Sequence, residues 1–444
     1  MTSNRSAAPA LKTGGKRSEE LFERARSVFP GGITRATVER DPFPVFADFG
    51  EGAYLTDVDG RRFLDLNNNF TTLIHGHGFP PVVEATAAAL RRGTCFANPM
   101  RHEIELAELL VDRIPAVEKI RFVTSGTDAV MFAIKAARAA TGRTAVARLA
   151  GAYHGAYDWA EAGQKTAGGM PVSSFAGTPS HVLDDVIVID FNNIDDLKLK
   201  VEENSHRLAA LLIDPMPSRA GFMRPHPEFL ETVNLLAKKH GVILIADEVL
   251  NLRQGFHGAS HRYGLEPDLI TMGKIIGGGF PIGAVGGRAE VMSLFASDDK
   301  IAGLPQGGTF AANPVSMMAG KVAMESLTSA TFERLEDLGD RVRGGLASRN
   351  AHHGAAFFVT GAASLFRIHA SSTASGTVRQ AHTIFDDEKT LSRLHRHFAA
   401  NGIILPRGAA ASLSTPMSEA DADQIISVFD DFLVSDLNKA GEAA

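Results

Sequence analysis

Cysteine is nearly absent from this chain: Cys95 is the one cysteine in 444 residues. A lone thiol excludes an intramolecular disulfide and any metal site built from cysteines, and Cys95 is expected to pack as an apolar residue. No run of about 18 continuous apolar residues occurs, so no transmembrane helix is expected. Met1 to Lys16 is rich in Ser, Ala and Gly with scattered basic residues, and it lacks the apolar core of a secretory signal. That stretch is expected to be a disordered tail, and the protein to be cytoplasmic with no membrane partner. There is no long basic run and the net charge is -6, which argues against nucleic acid as a partner. No internal repeat or low-complexity linker is visible. The phosphate loop G-x-x-x-x-G-K-[ST] is missing as well, so the acidic strand Ile243–Glu248 is not that of a nucleotide hydrolase.

What is present is ordinary for a globular enzyme: 44% hydrophobic and 22% charged residues, in a length that allows one large α/β domain and a smaller one. Val242 to Ala246 is a short, β-branched apolar run without polar alternation, which suits a parallel strand covered on both faces. It ends in Asp247, at the strand end where ligand sites of open α/β sheets lie. Leu269 to Met272 ends the same way and delivers Lys274, followed by three glycines. An acid and an amine at neighbouring strand ends suit a cofactor with a cationic ring nitrogen and an aldehyde. Pyridoxal 5'-phosphate is such a cofactor. Either residue alone would read equally well as a structural Asp or a surface Lys.

In chain order, Ser18 to Val28 reads as a helix capped by Ser18. Ala53–Gly60 with Arg62–Leu66 reads as a hairpin with an Asp-Gly turn, and the prolines make Pro42–Phe46 extended. His75 and His77 lie two apart between glycines with no third ligand nearby, so no metal site is expected. Pro81–Arg92 and His102–Arg113 are helical by periodicity. Strand Lys119–Val123, then Ser125-Gly-Thr127, then helix Asp128–Ala140 puts N–H groups and hydroxyls at a helix start, which binds phosphate without a lysine or is simply a cap. Strand Ala145–Leu149 delivers Tyr153 in a glycine turn, where a ring can stack on a flat cofactor. Ala162–Pro179 reads as a long Gly/Ser/Thr-rich lid loop. Strands are expected at Val186–Asp190 and Ala209–Ile213, and helices at Phe229–His240 and Val315–Leu327. Further on, strands are expected near Phe357–Thr360 and Leu365–His369, and helices near Asp387–Ala400 and Glu419–Leu433.

Taken together, Ser125-Gly-Thr-Asp-Ala129, Tyr153-His-Gly155, Ile245-Ala-Asp-Glu-Val249, Thr271 to Gly279 and Gly308-Thr-Phe-Ala-Ala-Asn-Pro314 resemble the class III, fold-type I pyridoxal-phosphate aminotransferases. The resemblance is strongest to the branch that contains glutamate-1-semialdehyde aminomutase, and it runs from about Pro30 to the C-terminal helix. It implies a mostly parallel seven-stranded sheet in a large domain over 76–328. A small α+β domain would come from both chain ends, 1–75 with its tail and 329–444. It also implies a homodimer with shared active sites. By position it makes Lys274 the Schiff-base lysine and proton shuttle, and Asp247 the partner of the ring nitrogen. Tyr153 and Val249 would cover the two ring faces. Ser125, Gly126 and Thr127 would bind the phosphate, which Thr309 would reach from the other subunit.

The departures fall around the substrate. Asp128 stands where the family often has Glu, Asp214-Pro-Met216 replaces the usual Glu-Pro-Val, and Pro217-Ser-Arg-Ala220 replaces the aminomutase pattern. Leu250-Asn-Leu-Arg253 and Asn67–Thr72 also differ from the common pattern. Gly31-Gly-Ile-Thr-Arg35 with Pro42-Phe-Pro44, and Leu405-Pro-Arg-Gly408, resemble β-amino acid transaminases such as the β-phenylalanine aminotransferases. There, arginines matching Arg35 and Arg407 hold the substrate carboxylate, a task that suits the bidentate guanidinium. The expectation is a transaminase moving the amine of a β-amino acid, or another non-α-amino acid, to a keto acid by a ping-pong route. A 2,1-aminomutase and a lyase on the same scaffold are the alternatives.

Overall fold

The computed structural model describes residues 15–35, 37–40, 43–163, 165–167, 170–172, 176–296, 303–371 and 387–442, without the side chains of 165–172 and 436–442. Its centre is a seven-stranded sheet of β1 (Lys119–Val123), β2 (Ala145–Leu149), β3 (Val186–Ile189), β4 (Leu208–Ile213), β5 (Ile243–Asp247), β6 (Leu269–Gly273) and β7 (Gly283–Gly287). The spatial order is β1-β7-β6-β5-β4-β2-β3. β7 is antiparallel to both β6 and β1, and the remaining pairs are parallel. Every residue of β2, β3, β4 and β6 is buried, as largely apolar strands covered by helices on both faces require, and only Arg148 of β2 and Thr271 of β6 bring polar side chains inside. Each buried Val, Leu or Ile side chain contributes about 1.5–3 kcal/mol.

Helices Gly126–Thr141 and Pro227–His240 pack on this sheet. The second opens on a proline at its first position and closes on Gly241 at φ +58, the asymmetry that suits helix ends. The 25-residue helix Ser329–His353 lies in the stretch where strand–helix alternation loosens in the sequence. Gly339 lies inside it, where a Cβ would fall 1.9 Å from the Ala363 carbonyl oxygen. Close approach of helix and turn, rather than chain flexibility, explains that glycine. β7 is equally hard to read, because Gly-Ala-Val-Gly-Gly has little β propensity.

The two ends of the chain meet in small sheets. Ala47–Glu51, Tyr54–Asp57 and Arg62–Asp65 form an antiparallel meander, and Ile403–Ile404 adds in parallel to its last strand. The hairpin read from the Asp-Gly turn is therefore present, with one further strand before it. Phe358–Thr360, Leu365–His369 and Ala410–Ser412 form a second small sheet.

Three local expectations need correction. The first helix spans Lys16–Val28, and Ser18 lies buried inside it rather than capping it. Asp59, from the hairpin turn, accepts the Arg17 and Ser18 N–H groups and so caps that helix from a distance. Cys95 is exposed, not packed. Within the presumed lid, Lys165–Ala167 and Met170–Val172 pair as an antiparallel hairpin; the rest of its core, with residues 1–14 of the tail and Pro42, lies outside the described residues. His75 Nε2 meets the Ala323 carbonyl at 2.8 Å while His77 Nε2 meets Asp65 at 2.8 Å, so the two rings serve different partners.

Gly283, at the start of β7, has no room for a side chain: a Cβ would lie 2.0 Å from the Ser125 carbonyl oxygen. Gly283→Ala is expected to destabilise the protein by about 1–3 kcal/mol, read as a lower urea midpoint. An unchanged midpoint would remove this contact from the fold's requirements.

Candidate active site

Strands β4, β5 and β6 run parallel, so their C-terminal ends open on one edge of the sheet. Asp247 sits opposite Thr271 in the β5–β6 pairing, and Lys274 follows three residues on. Asp214, just past β4, joins them. Asp214, Asp247 and Lys274 line one cavity of about 450 Å³.

Asp247 is 4% exposed and its carboxylate is held by three donors. His154 Nδ1 donates to Oδ2 at 2.7 Å, and Thr271 Oγ1 and the Val249 N–H donate to Oδ1 at 3.1 and 3.0 Å. Burial pushes the His154 imidazole below its ordinary pKa, so it donates as a neutral ring despite the upward pull of Asp247. His154 Nε2 is buried with no partner among the described residues. Neither His154 nor Thr271 was singled out from the sequence, although both stand inside the quoted motifs. The signal was their place beside Tyr153 and Lys274.

Lys274 has φ +49, a left-handed conformation uncommon outside glycine, and it turns the chain sharply as β6 ends. Burial lowers its amine to about 8, against the raising effect of the Asp247 and Asp214 charges. Asp214 is pushed the other way: burial and then the neighbouring Asp247 charge raise its carboxyl well above the usual range, while Met216 N–H and Asn251 Nδ2 donate to it.

The helix Gly126–Thr141 starts at the same cavity. Ser125 is its N-cap: the Asp128 N–H donates to Ser125 Oγ, which donates in turn to the Asp128 carboxylate at 2.9 Å. The Ser125 hydroxyl is thus engaged in capping, although the residue lines the cavity with Gly126 and Thr127. The N–H groups of Gly126 and Thr127 are the first of the helix, with no carbonyl of their own helix to meet. Gly126 admits Val249 closely, since a Cβ there would fall 2.7 Å from a Val249 methyl. Tyr153, 46% exposed, and Val249 both line the cavity, and the Arg219 guanidinium lies 4.2 Å from the Tyr153 ring centroid.

Arg35 comes to this cavity from the other end of the chain, beside Asn69. Asn69 belongs to a turn in which Asn68, Asn69, Phe70 and Thr71 all have positive φ, from 47 to 72°. Left-handed backbone costs about 1–2 kcal/mol per ordinary residue, so Phe70 and Thr71 bear most of the strain. Asp65 Oδ1 accepts the Asn67 and Asn68 N–H groups, and Asn68 Nδ2 donates to the Ser412 carbonyl. The fully buried Arg253 donates to the carbonyls of Thr71 and Leu413 and to Ser364 Oγ. These bonds over-determine the turn. Two expected site residues stay outside the cavity: Thr309 is exposed near Cys95, and Arg407 is exposed in the turn before Ala410–Ser412.

The group that fits this set is flat and cationic at one point, carries a phosphate, and offers an electrophilic carbon to Lys274. Asp247 has acceptor capacity left on Oδ2, the helix start offers N–H donors, and the lowered amine of Lys274 is a nucleophile near neutral pH. Pyridoxal 5'-phosphate meets each requirement.

Residues 36–411 match the family Aminotransferase class-III. The chain is 37% identical over 354 residues to the glutamate-1-semialdehyde 2,1-aminomutase of Methanothermobacter thermautotrophicus, covering 80% of this chain and 83% of that one. An omega-transaminase structure from Sphaerobacter thermophilus superposes with a TM-score of 0.91 at 43% identity, covering 94% and 97% of the two chains. A β-phenylalanine aminotransferase from Variovorax paradoxus superposes at 0.87 with 30% identity, covering 94% of each. With that match and this sheet, the chain belongs to the class III aminotransferases, pyridoxal-phosphate enzymes of fold type I.

Proposed function

We propose that the protein is a transaminase that moves the amine of a β-amino acid, or of another amino acid whose amine is off the α-carbon, to a keto acid. The observation that carries this reading is Arg35 in the wall of the cavity that holds Lys274 and Asp247. A guanidinium there gives a donor's carboxylate a fixed anchor at one end while its amine meets Lys274 at the other. The bound cofactor supplies an aldehyde that takes up the amine and a protonated ring that accepts the electron pair left by a departing C–H proton.

The chain's residues divide the remaining work. Lys274 Nζ would hold the cofactor through its aldehyde carbon and, when free, would carry the proton from the substrate carbon to the cofactor carbon. Its lowered pKa keeps a useful fraction unprotonated near neutral pH. Asp247 keeps the ring nitrogen protonated, and His154, Thr271 and the Val249 N–H fix the carboxylate for that task. Gly126 and Thr127 hold the phosphate, with Ser125 shaping the cradle through its cap. Tyr153 and Val249 wall the two ring faces. Thr309, exposed on its own subunit, completes the phosphate site of a partner in a homodimer. Arg407, exposed and outside the cavity wall, is the weaker candidate for a second carboxylate anchor beside Arg35.

The 2,1-aminomutase reading is favoured by the name of the curated relative. It requires the intermediate to stay bound while the amine changes carbon, so no keto acid is needed. Parallel-line double-reciprocal kinetics with a β-amino acid and a keto acid support the transaminase. Conversion of a single amino-aldehyde substrate without any keto acid would overturn it.

Three outcomes are expected. In cofactor-free protein, acylation of Lys274 should rise with pH through a midpoint of about 8, and Asp247→Asn should lower that midpoint, because the Asp247 charge raises it. A midpoint at the ordinary 10.5 would contradict the desolvated amine. Arg35→Ala should lose β-amino acid turnover equivalent to about 1.5–3 kcal/mol, with a smaller loss for Arg407→Ala and little change for an amine lacking a carboxylate. Equal losses with both donors would make these arginines structural. Light scattering should give the mass of a dimer; an active monomer would dismiss the role of Thr309.

A further inference from the structure

We propose that Asn69 is a positioning residue for Arg35, and that the left-handed turn Asn68–Thr71 sets which donor carboxylates the cavity accepts. This rests on the reading of Arg35 as the carboxylate anchor and names what aims it. Arg35 NH1 donates to Asn69 Oδ1 at 2.8 Å, and the Arg35 guanidinium carbon lies 5.7 Å from the Phe70 ring centroid. Arg35 is exposed, and a long exposed arginine without such contacts samples many rotamers.

Consecutive residues of a strand point to opposite sides, yet here Asn69 and Phe70 both meet one guanidinium. The left-handed backbone makes this possible. Neighbouring residues tie it on both sides: Asp65 and Arg253 hold its ends, and Asn67 Oδ1 accepts the Phe70 N–H. Both Asn69 and Arg35 line the cavity that contains Lys274.

The chemistry of the acceptor matters. An amide oxygen occupies one N–H of a guanidinium that has five donors, and it leaves the positive charge uncompensated for an incoming carboxylate. A carboxylate at position 69 would take the fork itself and compete with the substrate. A side-chain amide is therefore the group that orients Arg35 without consuming it.

The test compares Asn69→Asp, Asn69→Gly and Arg35→Ala in the cofactor-loaded enzyme. Glycine keeps the left-handed backbone and deletes the amide. The readouts are the dissociation constant of benzoate, an unreactive carboxylate, and kcat and KM for 3-amino-3-phenylpropanoate and for 1-phenylethylamine. Asn69→Asp is expected to weaken benzoate and raise KM for the β-amino acid by about tenfold, with kcat and the plain amine within about twofold. Asn69→Gly is expected to move the same quantities by about threefold. If Arg35→Ala loses benzoate while both Asn69 variants bind it normally, the positioning role is overturned and the anchor stands. If Arg35→Ala binds benzoate unchanged, the anchor reading fails and this proposal falls with it. Equal losses for both donors in the Asn69 variants would make the turn a structural support and overturn the proposal.

Discussion

The register between β5 and β6 is the constraint on which the site depends. Parallel pairing with Asp247 opposite Thr271 delivers an anion and, three residues later, an amine to the same edge of the sheet. A slip of one residue would turn Asp247 to the opposite face of a sheet whose strands are buried on both sides. The register also supplies Thr271 Oγ1 as a donor to Asp247. Holding a carboxylate at 4% exposure requires such donors, because an unpaired buried charge is strongly unfavourable. His154 and the Val249 N–H complete the set, and each comes from a loop that the sheet edge positions.

Burial acts in opposite senses on the groups of this cavity. It lowers the amine of Lys274 and raises the carboxyl of Asp214, so both neighbours of Asp247 are biased toward their neutral forms. Arg148, fully buried behind the loop that carries Tyr153 and His154, is lowered by the same desolvation to about 9. It donates to the carbonyls of Ala152 and Ala160. A buried cation spent on backbone carbonyls fixes that loop in place, which explains why Tyr153 is presented at the cavity despite being half exposed.

The strand ends were legible in the sequence because buried parallel strands write themselves as short apolar runs, most plainly in Val-Ile-Val-Ile of β3 and Ile-Leu-Ile-Ala of β5. β7 broke it: its glycines answer to close approach of Ser125 and Asp268, a constraint from distant chain that leaves no local trace. Ser18 misled for a similar reason, since the helix that contains it is capped by Asp59, 41 residues further along the chain. Within the site, Asp247, Lys274, Gly126 and Tyr153 were visible as motifs. The partners that tune them, His154 above all, carry no spacing of their own. The left-handed turn at Asn68–Thr71 was visible only as a departure from a pattern, because φ is not written in an Asn-Asn-Asn-Phe sequence.

The division of labour between sheet and chain ends follows from this. Groups that would hold the cofactor stand at the ends of rigid, fully buried strands or at a helix start packed against them, where half an ångström of drift is resisted by the whole core. Groups that would meet the substrate stand elsewhere: Arg35 follows the first helix, and Asn69 rides a strained turn tied to the C-terminal segment through Ser412 and Arg253. Those supports connect segments more than a hundred residues apart in the chain, and one of them, Arg253, follows β5 within the loop after Asp247 and places its charge where Lys274 feels it. The turn that carries Asn69 is therefore tied, through Arg253, to the same loop that follows Asp247. Arg219 of the Pro217–Ala220 loop likewise reaches the Tyr153 ring, so the loops that depart from the family pattern are joined to the strand-end platform by single arginines.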